Sequence, residues 1–416
     1  MRRGHALTMA RIVIVTAGHL STSPRVWREA DALAAAGHDV LATGVWMDAG
    51  HAERDVALLA GRGWAFSAAA DFRGSSIRSR FARLAARARS RAARVRVRYS
   101  LGDDPHALGY AVDRMERVAR RAKADLVILH LEPALWIGER LLRDGARVAL
   151  NIEDWYSENQ QGDAAHDPAR AQVARLEARV FPAVHASITT SHAMSGALAA
   201  HYRMHPPAVV YNSVAREPLA PAPPLDGELR LLWFSHRLGA GRGLEDLFVA
   251  LRGLPPTWQL TLLGDADADA KRWVTAQLPG GLAERVRFVP RVPPMELSAL
   301  VAMHHVGLAL EVPLCRNKDL TASNKIFHYL QCGLVVAASD TAGQREVMAQ
   351  VPGGGVLYPA GDAAALGAVL VPWCDAPASV LVGRADRHAL ANARLASETQ
   401  APHLLGAVER ALAPGR

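Results

Sequence analysis

Cysteine is almost missing from this chain. Cys315, Cys332 and Cys374 are its three examples, too few and too scattered for a disulfide framework or a cysteine-built metal site, and they fit a reducing cytoplasm. Long apolar runs are missing as well: 50% of the residues are hydrophobic, yet no run approaches the ~18 that a membrane-spanning helix needs. The opening MRRGHALTMARIVIVTAG sets basic residues before an apolar run, but that run is short, β-branched and closes in a turn. It reads as a first strand and not as a secretory signal, and the residues before Met9 are compatible with a mis-called start. Lysine is rare: Lys123, Lys271, Lys318 and Lys325 are the only ones among 48 basic residues. Acids are absent from residues 72–102, which hold ten arginines. The rest of the chain has 38 basic against 40 acidic residues, so the whole excess of +8 sits in that stretch. No group of acids is spaced to hold a divalent ion, and no metal is expected.

What is present is a strong alternation. Short runs of valine, isoleucine and leucine alternate with longer helical patterns, the signature of parallel βαβ units. Two series appear, with strands near 11–17, 38–46, 125–131, 147–152, 185–190 and 208–211, then near 229–235, 258–263, 286–289, 306–310, 334–338 and 355–358. Between them runs REPLAPAPPLDGE, residues 216–228, whose four prolines remove backbone donors and stop regular structure. A chain of 416 residues can bury two cores. The expected division is an N-terminal domain, 1–217, carrying the basic insert 72–102; a linker, 218–228; a C-terminal domain, 229–398; and a final helical segment, 399–416, able to pack back on the first domain. The fold class is α/β, with two Rossmann-like, doubly wound parallel sheets facing a central cleft. Each sheet offers ligands the carboxyl ends of its strands.

In the second series the strand LRLLWFS runs into HRLGAGRGLEDLFVAL, a turn with Gly239, Gly241 and Gly243 followed by an amphipathic helix. Glycines let backbone amides approach an anion, and a helix start adds a positive dipole. Arg237 and Arg242 flank the loop, so both guanidinium forks can close on one phosphate. A nicotinamide-dinucleotide reading fits less well, because the glycines fall at alternate positions and no acid closes the next strand. A tight strand-to-helix turn with two surface arginines is the plainest alternative.

Further on, VGLALEV leads into Ser323-Asn324-Lys325 at the start of another helix. Ser323 or Thr321 can cap that helix, and further amides with Lys325 make a second anion site. Both sites lie at carboxyl ends of one sheet and together can grip the two phosphates of a diphosphate. In the first domain, GHLSTSPR places Gly18 and Arg25 in and after the turn that follows strand one. His130 ends a further strand of the first series. NIEDWYSENQ ends the next strand with Glu153 and Asp154, followed by the aromatic Trp155 and Tyr156.

These stretches together resemble the retaining glycosyltransferases of family 4, which have the GT-B fold. TSPRVWREADALAAAGHDV is similar to the family's first helix and the turn into strand two, DLVILHLEPAL to the strand ending in its donor-side histidine, here His130, and VVYNSV to the close of the first domain. HRLGAGRGLEDL matches the family's Arg...Lys/Arg-Gly pattern, and SNKIFHYLQCGLVVAAS its nucleotide-facing helix, followed by GQREV and GGGVLYPAGD. The resemblance runs from about residue 11 to residue 412. It implies catalytic roles for His130, Arg237 and Arg242, with His130 placed to hydrogen-bond the transferred sugar and Trp155 and Tyr156 to stack on a sugar ring. It implies donor binding by Gly18, Gly239, Gly241, Ser323, Asn324, Lys325, His328 and Glu346, with Arg25, Glu153 and Asp154 on the acceptor side. Two departures stand out: the family's pair of glutamates is replaced by Leu320 and His328, and the glycine before its first arginine by His236. Asp319 or Glu346 could supply the missing carboxylate.

The implied activity is retaining, metal-independent transfer of a sugar from a nucleotide sugar, of UDP or GDP type, to a glycan or lipid-linked acceptor, with no further cofactor. A non-catalytic GT-B subunit that binds a nucleotide, glycan or enzyme partner is the alternative. The arginine segment 72–102 could rest on an anionic membrane surface from the cytoplasmic side; a nucleic-acid partner is not expected.

Overall fold

RIVIV and LVILH are apolar at nearly every position, which suits parallel strands covered on both faces. In the computed structural model, which describes residues 9–74, 76–160 and 167–414, they form β1 (Arg11–Val15) and β4 (Leu126–His130). With β2 (Asp39–Trp46), β3 (Ala65–Asp71), β5 (Val148–Ile152), β6 (Ala186–Thr189) and β7 (Ala208–Val209) they make a seven-stranded sheet of order β3-β2-β1-β4-β5-β6-β7. The second series builds a six-stranded sheet from β8 (Leu229–Arg237), β9 (Trp258–Asp265), β10 (Val286–Val289), β11 (Val306–Ala309), β12 (Val335–Ser339) and β13 (Gly355–Tyr358), in order β10-β9-β8-β11-β12-β13. Every strand pair in both sheets is parallel.

β3 has no counterpart among the expected strands. Its sequence AFSAAAD is alanine-rich, with little of the β-branched signal that marks a strand, and it pairs only at the sheet edge with β2, across an irregularity at Gly44/Val45. The residues before Met9 lie outside the described residues.

The chain divides between Val210 and Tyr211, and the stretch from Ala401 rejoins the first unit. Leu404, Ala407, Val408 and Ala411, on the helix Ser397–Leu412, are buried with Ile12, Ile14, Val26 and Leu33 in the first unit's core. Burying Leu404 and Val408 contributes about 1.5–3 kcal/mol each. In the second unit Trp233, Phe248, Trp258 and Leu260 centre the core.

The proline-rich stretch expected as a linker packs within the second unit, where Arg384 Nη1 donates to the Ala220 carbonyl at 2.8 Å and its Nη2 to the Pro221 carbonyl at 3.5 Å. The prolines do stop regular structure, since neither helix nor strand lies between Val209 and Leu229. Backbone carbonyls remain acceptors, and those of Ala220 and Pro221 anchor the segment.

Near the first sheet lie α1 (Pro24–Ala35), α2 (Ala49–Leu59) and α3 (Ile77–Arg98). The basic insert is mostly α3, whose N-cap Ser76 accepts from the Ser79 amide at 3.2 Å.

Candidate functional site

In each sheet the strand order reverses beside the first strand of its series, between β1 and β4 and between β8 and β11. Carboxyl-end loops at such a point are where open α/β sheets take ligands. The expected site residues fall at these two places, one in each unit.

In the second unit β8 ends in Arg237 and runs into the glycine loop. Gly241 and Gly243 have φ of 76° and 77°, left-handed values that a side chain resists. A Cβ on Gly243 would lie 2.7 Å from that of Leu310, so the helix Leu244–Arg252 starts hard against the end of β11. The two arginines expected to close on one phosphate are turned apart. Arg242 Nη1 donates to Ser235 Oγ at 2.9 Å, whereas Arg237, its side chain 74% exposed, donates to Asp267 at 3.0 Å. Gly239 has open space around its Cα. The Gly241 amide donates to Glu245 Oε1 at 2.6 Å, so a carboxylate of the helix's own first turn stands where an anion is expected.

The helix Asn324–Gln331 supplies the other half. Ser323 is its N-cap, but its side chain makes no capping bond, and Thr321 Oγ1 donates to the Asn317 carbonyl at 2.8 Å. The expected side-chain cap is therefore not made. Asn324 is exposed at the first turn. Lys325 Nζ donates to Glu311 Oε1 at 2.7 Å and lies 5.6 Å from the centre of the Trp233 ring. Burial opposes ionisation of Glu311, but the charge of Lys325 outweighs it and holds the carboxyl below its ordinary value. His328 meets Phe234 edge to face, with centroids 5.5 Å apart. Burial, then the nearby Glu346 carboxylate, raises the pKa of the Tyr211 hydroxyl. Asp319 is engaged elsewhere, accepting from the Ala342 amide at 3.1 Å.

These loops meet at His236. Arg291 Nη1 donates to its Nδ1 at 3.1 Å, which requires that nitrogen to be unprotonated. Burial, then the positive charges of Arg291 and Arg242, with a further contribution from Lys325, hold the imidazole below its ordinary pKa. Arg291, which also pairs with Asp265 at 3.0 Å, is the cation in contact with this exposed ring. Glu311 and Arg291 were not singled out in the sequence. The signal for Glu311 was an acid closing LALEV at the switch point; for Arg291, an arginine two residues past β10 in VPRVPP.

In the first unit the strand-end charges are closed upon one another. His130 is 1% exposed; its Nε2 donates to Glu29 Oε2 at 2.6 Å and its Nδ1 to Glu153 Oε1 at 2.9 Å. Burial disfavours the charged ring, yet the two carboxylates overcome it and push the pKa up to about 9. With both nitrogens committed, the ring has no donor for the sugar it was expected to meet. Next to it Leu131 has φ 69°, a strained conformation at the end of β4.

Arg25, expected on the acceptor side, is buried. Its Nε donates to Asn151 Oδ1 at 2.7 Å and its Nη1 to the Val210 carbonyl at 2.8 Å, so it ties the sheet's strand ends together. Glu153 and Asp154 stay half-buried beyond β5. Close by, burial and then the charge of Asp154 raise the pKa of Glu132. Trp155 and Tyr156, expected to stack on a sugar, are buried. Trp155 Nε1 donates to the Tyr202 hydroxyl at 2.9 Å, which in turn donates to Glu177 Oε2 at 2.9 Å.

Gly18 sits in the turn after β1, its carbonyl accepting from Val45 at 3.2 Å. The turn is pinned by Asp55, which accepts from His19 Nδ1 at 3.0 Å and from the Ser21 amide at 2.7 Å.

Two Rossmann-like parallel sheets, of seven and six strands, make this the GT-B fold. Solved structures match it along nearly the whole chain. Sucrose-phosphate synthase from Thermosynechococcus elongatus aligns with a TM-score of 0.66 at 17% identity, covering 97% of this chain and 99% of that one. Anabaena Alr3699/HepE in complex with UDP and glucose gives 0.66 at 17%, covering 96% and 99%. An α,α-trehalose-phosphate synthase (UDP-forming) from Burkholderia vietnamiensis gives 0.63 at 14%, covering 96% and 99%. Residues 231–373 match the family model described as Glycosyl transferases group 1, a span containing Arg237, Arg242, Arg291, Glu311 and Lys325. No curated protein matches the chain in sequence. The family match and the fold support glycosyl transfer.

Proposed function

We propose that the chain is a glycosyltransferase of family 4 that moves a sugar from a nucleoside diphosphate sugar to a hydroxyl of a glycan or lipid-linked acceptor, with retention and without a metal. The observation that carries the reading is that the glycine loop with Arg237 and Arg242 follows β8, and the helix start with Lys325 follows β11, the two strands that flank the switch point of the second sheet. The Anabaena neighbour has been solved with UDP and with UDP-glucose, which supports a donor of this chemical class.

As the bond from the anomeric carbon to the donor phosphate breaks, negative charge gathers on the departing diphosphate. Fixed cations and a helix start stabilise that charge more than they stabilise the ground state, which is what lowers a barrier. In this scheme the acceptor hydroxyl bonds to the anomeric carbon on the face the diphosphate leaves, and its proton passes to the leaving phosphate oxygen. The diphosphate takes over donors now held by carboxylates: Lys325 from Glu311, and the Gly241 amide from Glu245. Arg237 joins from Asp267.

Ser323 and Asn324 present the helix start, with Gly239 lining the phosphates. His328 stands for the ribose-binding glutamate, and Glu346 lies on the nucleotide side. His130 acts as a positioning residue that fixes Glu153, and Glu153 with Asp154 recognises the acceptor. The setting is cytoplasmic, in assembly of a surface glycan.

The test is to incubate the purified chain with a panel of UDP- and GDP-sugars and measure release of the nucleoside diphosphate. The expected result is turnover of one donor, reduced ~10²-fold or more by Arg242→Ala. A donor that binds but is never cleaved, in the presence of glycan acceptors, would favour the non-catalytic subunit suggested by Leu320 and His328. A chain that binds none of the panel contradicts both.

A further inference from the structure

α3 presents apolar side chains on the face turned away from the protein. Its inner face is narrow, with Ser90, Ala93 and Val97 buried. Three arginines are used locally: Arg83 Nη1 donates to the Phe72 carbonyl at 2.8 Å, Arg89 pairs with Asp113 at 3.7 Å, and Arg96 Nε donates to the Leu101 carbonyl at 3.3 Å. On the opposite side Ile77, Phe81, Leu84 and Val95, with Tyr99 just past the helix end, are between 48% and 73% exposed. At 3.6 residues per turn these five stand within about 60° of one another, a continuous stripe. Arg80, Arg87, Arg91, Arg94 and Arg98 follow along one flank of that stripe, and none of them forms an ion pair among the described residues. Ordinary surface helices turn their polar face outward and their apolar face to the core. α3 puts apolar side chains and uncompensated charge outward together.

We propose that α3 docks the protein on an anionic lipid bilayer, with the stripe from Ile77 to Tyr99 entering the headgroup layer and the flanking arginines meeting lipid phosphates. Charge complementarity selects this occupant. Residues 72–102 hold ten arginines and no acid, while the remainder of the chain is close to balance. A helix lying in the interface needs this combination, apolar burial on one face and cations at its edge. A nucleic acid would use the arginines but leave five exposed apolar groups without a purpose, and a second copy of the same face would bring like charges together. Among the described residues no single helix is long and apolar enough to cross a membrane, so the contact is one of surface docking. It does not depend on which reaction the strand-end site performs.

The full chain is sedimented with vesicles of phosphatidylcholine alone and of phosphatidylcholine with phosphatidylglycerol, at low and high salt. Three forms are compared: the parent, a variant with Arg87, Arg91, Arg94 and Arg98 changed to glutamine, and a Phe81→Ser/Leu84→Ser variant. All six positions are exposed, so the fold is expected to survive, and circular dichroism checks it. Binding to anionic vesicles should weaken about tenfold or more in the arginine variant and on raising salt. It should also weaken several-fold in the Phe81/Leu84 variant, whose charge is unchanged. Equal binding to neutral vesicles, or indifference to either set of substitutions, overturns the proposal. So does a dimer in solution that both variants dissociate, or duplex DNA bound more tightly than the anionic vesicles.

Discussion

In the first unit His130 has a carboxylate on each ring nitrogen and Arg25 donates into the sheet's own strand ends. In the second unit Arg237 is held by one exposed aspartate and Arg242 by one serine hydroxyl. Both clusters stand at carboxyl ends beside a switch point, and both looked alike as sequence. Charge that is buried and matched from every side can shape a site but has little left to give a ligand. Charge held loosely at a glycine turn can change partners when an anion arrives. The contrast is what the proposed reading rests on: anion binding is proposed for the second cluster, while His130 and Arg25 of the first are closed upon their own neighbours.

The largest effect that sharpens this contrast is on stability. Glu29→Ala removes one partner of the buried His130 pair and should cost about 3–5 kcal/mol, read as a lower urea midpoint or melting temperature of the first unit. Arg242→Ala should leave that transition in place. It should instead lower turnover at saturating donor by ~10²-fold; a variant that loses stability and keeps its turnover would reverse the assignment.

A third prediction concerns pH. The His130 ring is raised from an ordinary 6.5 to about 9 in the folded chain. Its contribution to stability is therefore complete below about pH 6.5 and is lost as pH rises through about 9. Glu177, raised by burial to about 7, changes charge in its folded form lower in the range, which leaves pH 7 to 9 for His130. The first unit's melting temperature should fall across that window in the parent and stay flatter in His130→Gln. The smallest expected effect is at Glu245, whose carboxylate occupies the Gly241 amide. Glu245→Gln should tighten nucleoside diphosphate binding by roughly two- to fivefold, the scale of one exposed charge interaction.

The parallel sheets were legible because strands buried on both faces write continuous apolar runs; β3, alanine-rich and at an edge, wrote none. The glycine loop and the helix start at Asn324 were legible because each is a local pattern. What could not be read locally is who pairs with whom. Glu29 and His130 are 101 residues apart and Arg25 and Asn151 126 apart, so a buried arginine looked like a ligand-binding one. Arg291 reaches His236 across 55 residues, a pairing that its place two residues past β10 does not reveal. Trp155 looked available for stacking because its partner Tyr202 lies 47 residues on.

The most direct test of the central claim is calorimetric titration of the full chain with UDP, GDP and ADP against the matching nucleosides, repeated with Arg242→Ala. If the loosely held cations of the second unit form a diphosphate cradle, at least one diphosphate should bind about 100-fold or more tightly than its nucleoside, in line with one to two charge-assisted contacts per phosphate. Most of that difference should disappear in the variant. A diphosphate and its nucleoside binding alike, or a difference that survives Arg242→Ala unchanged, would contradict it.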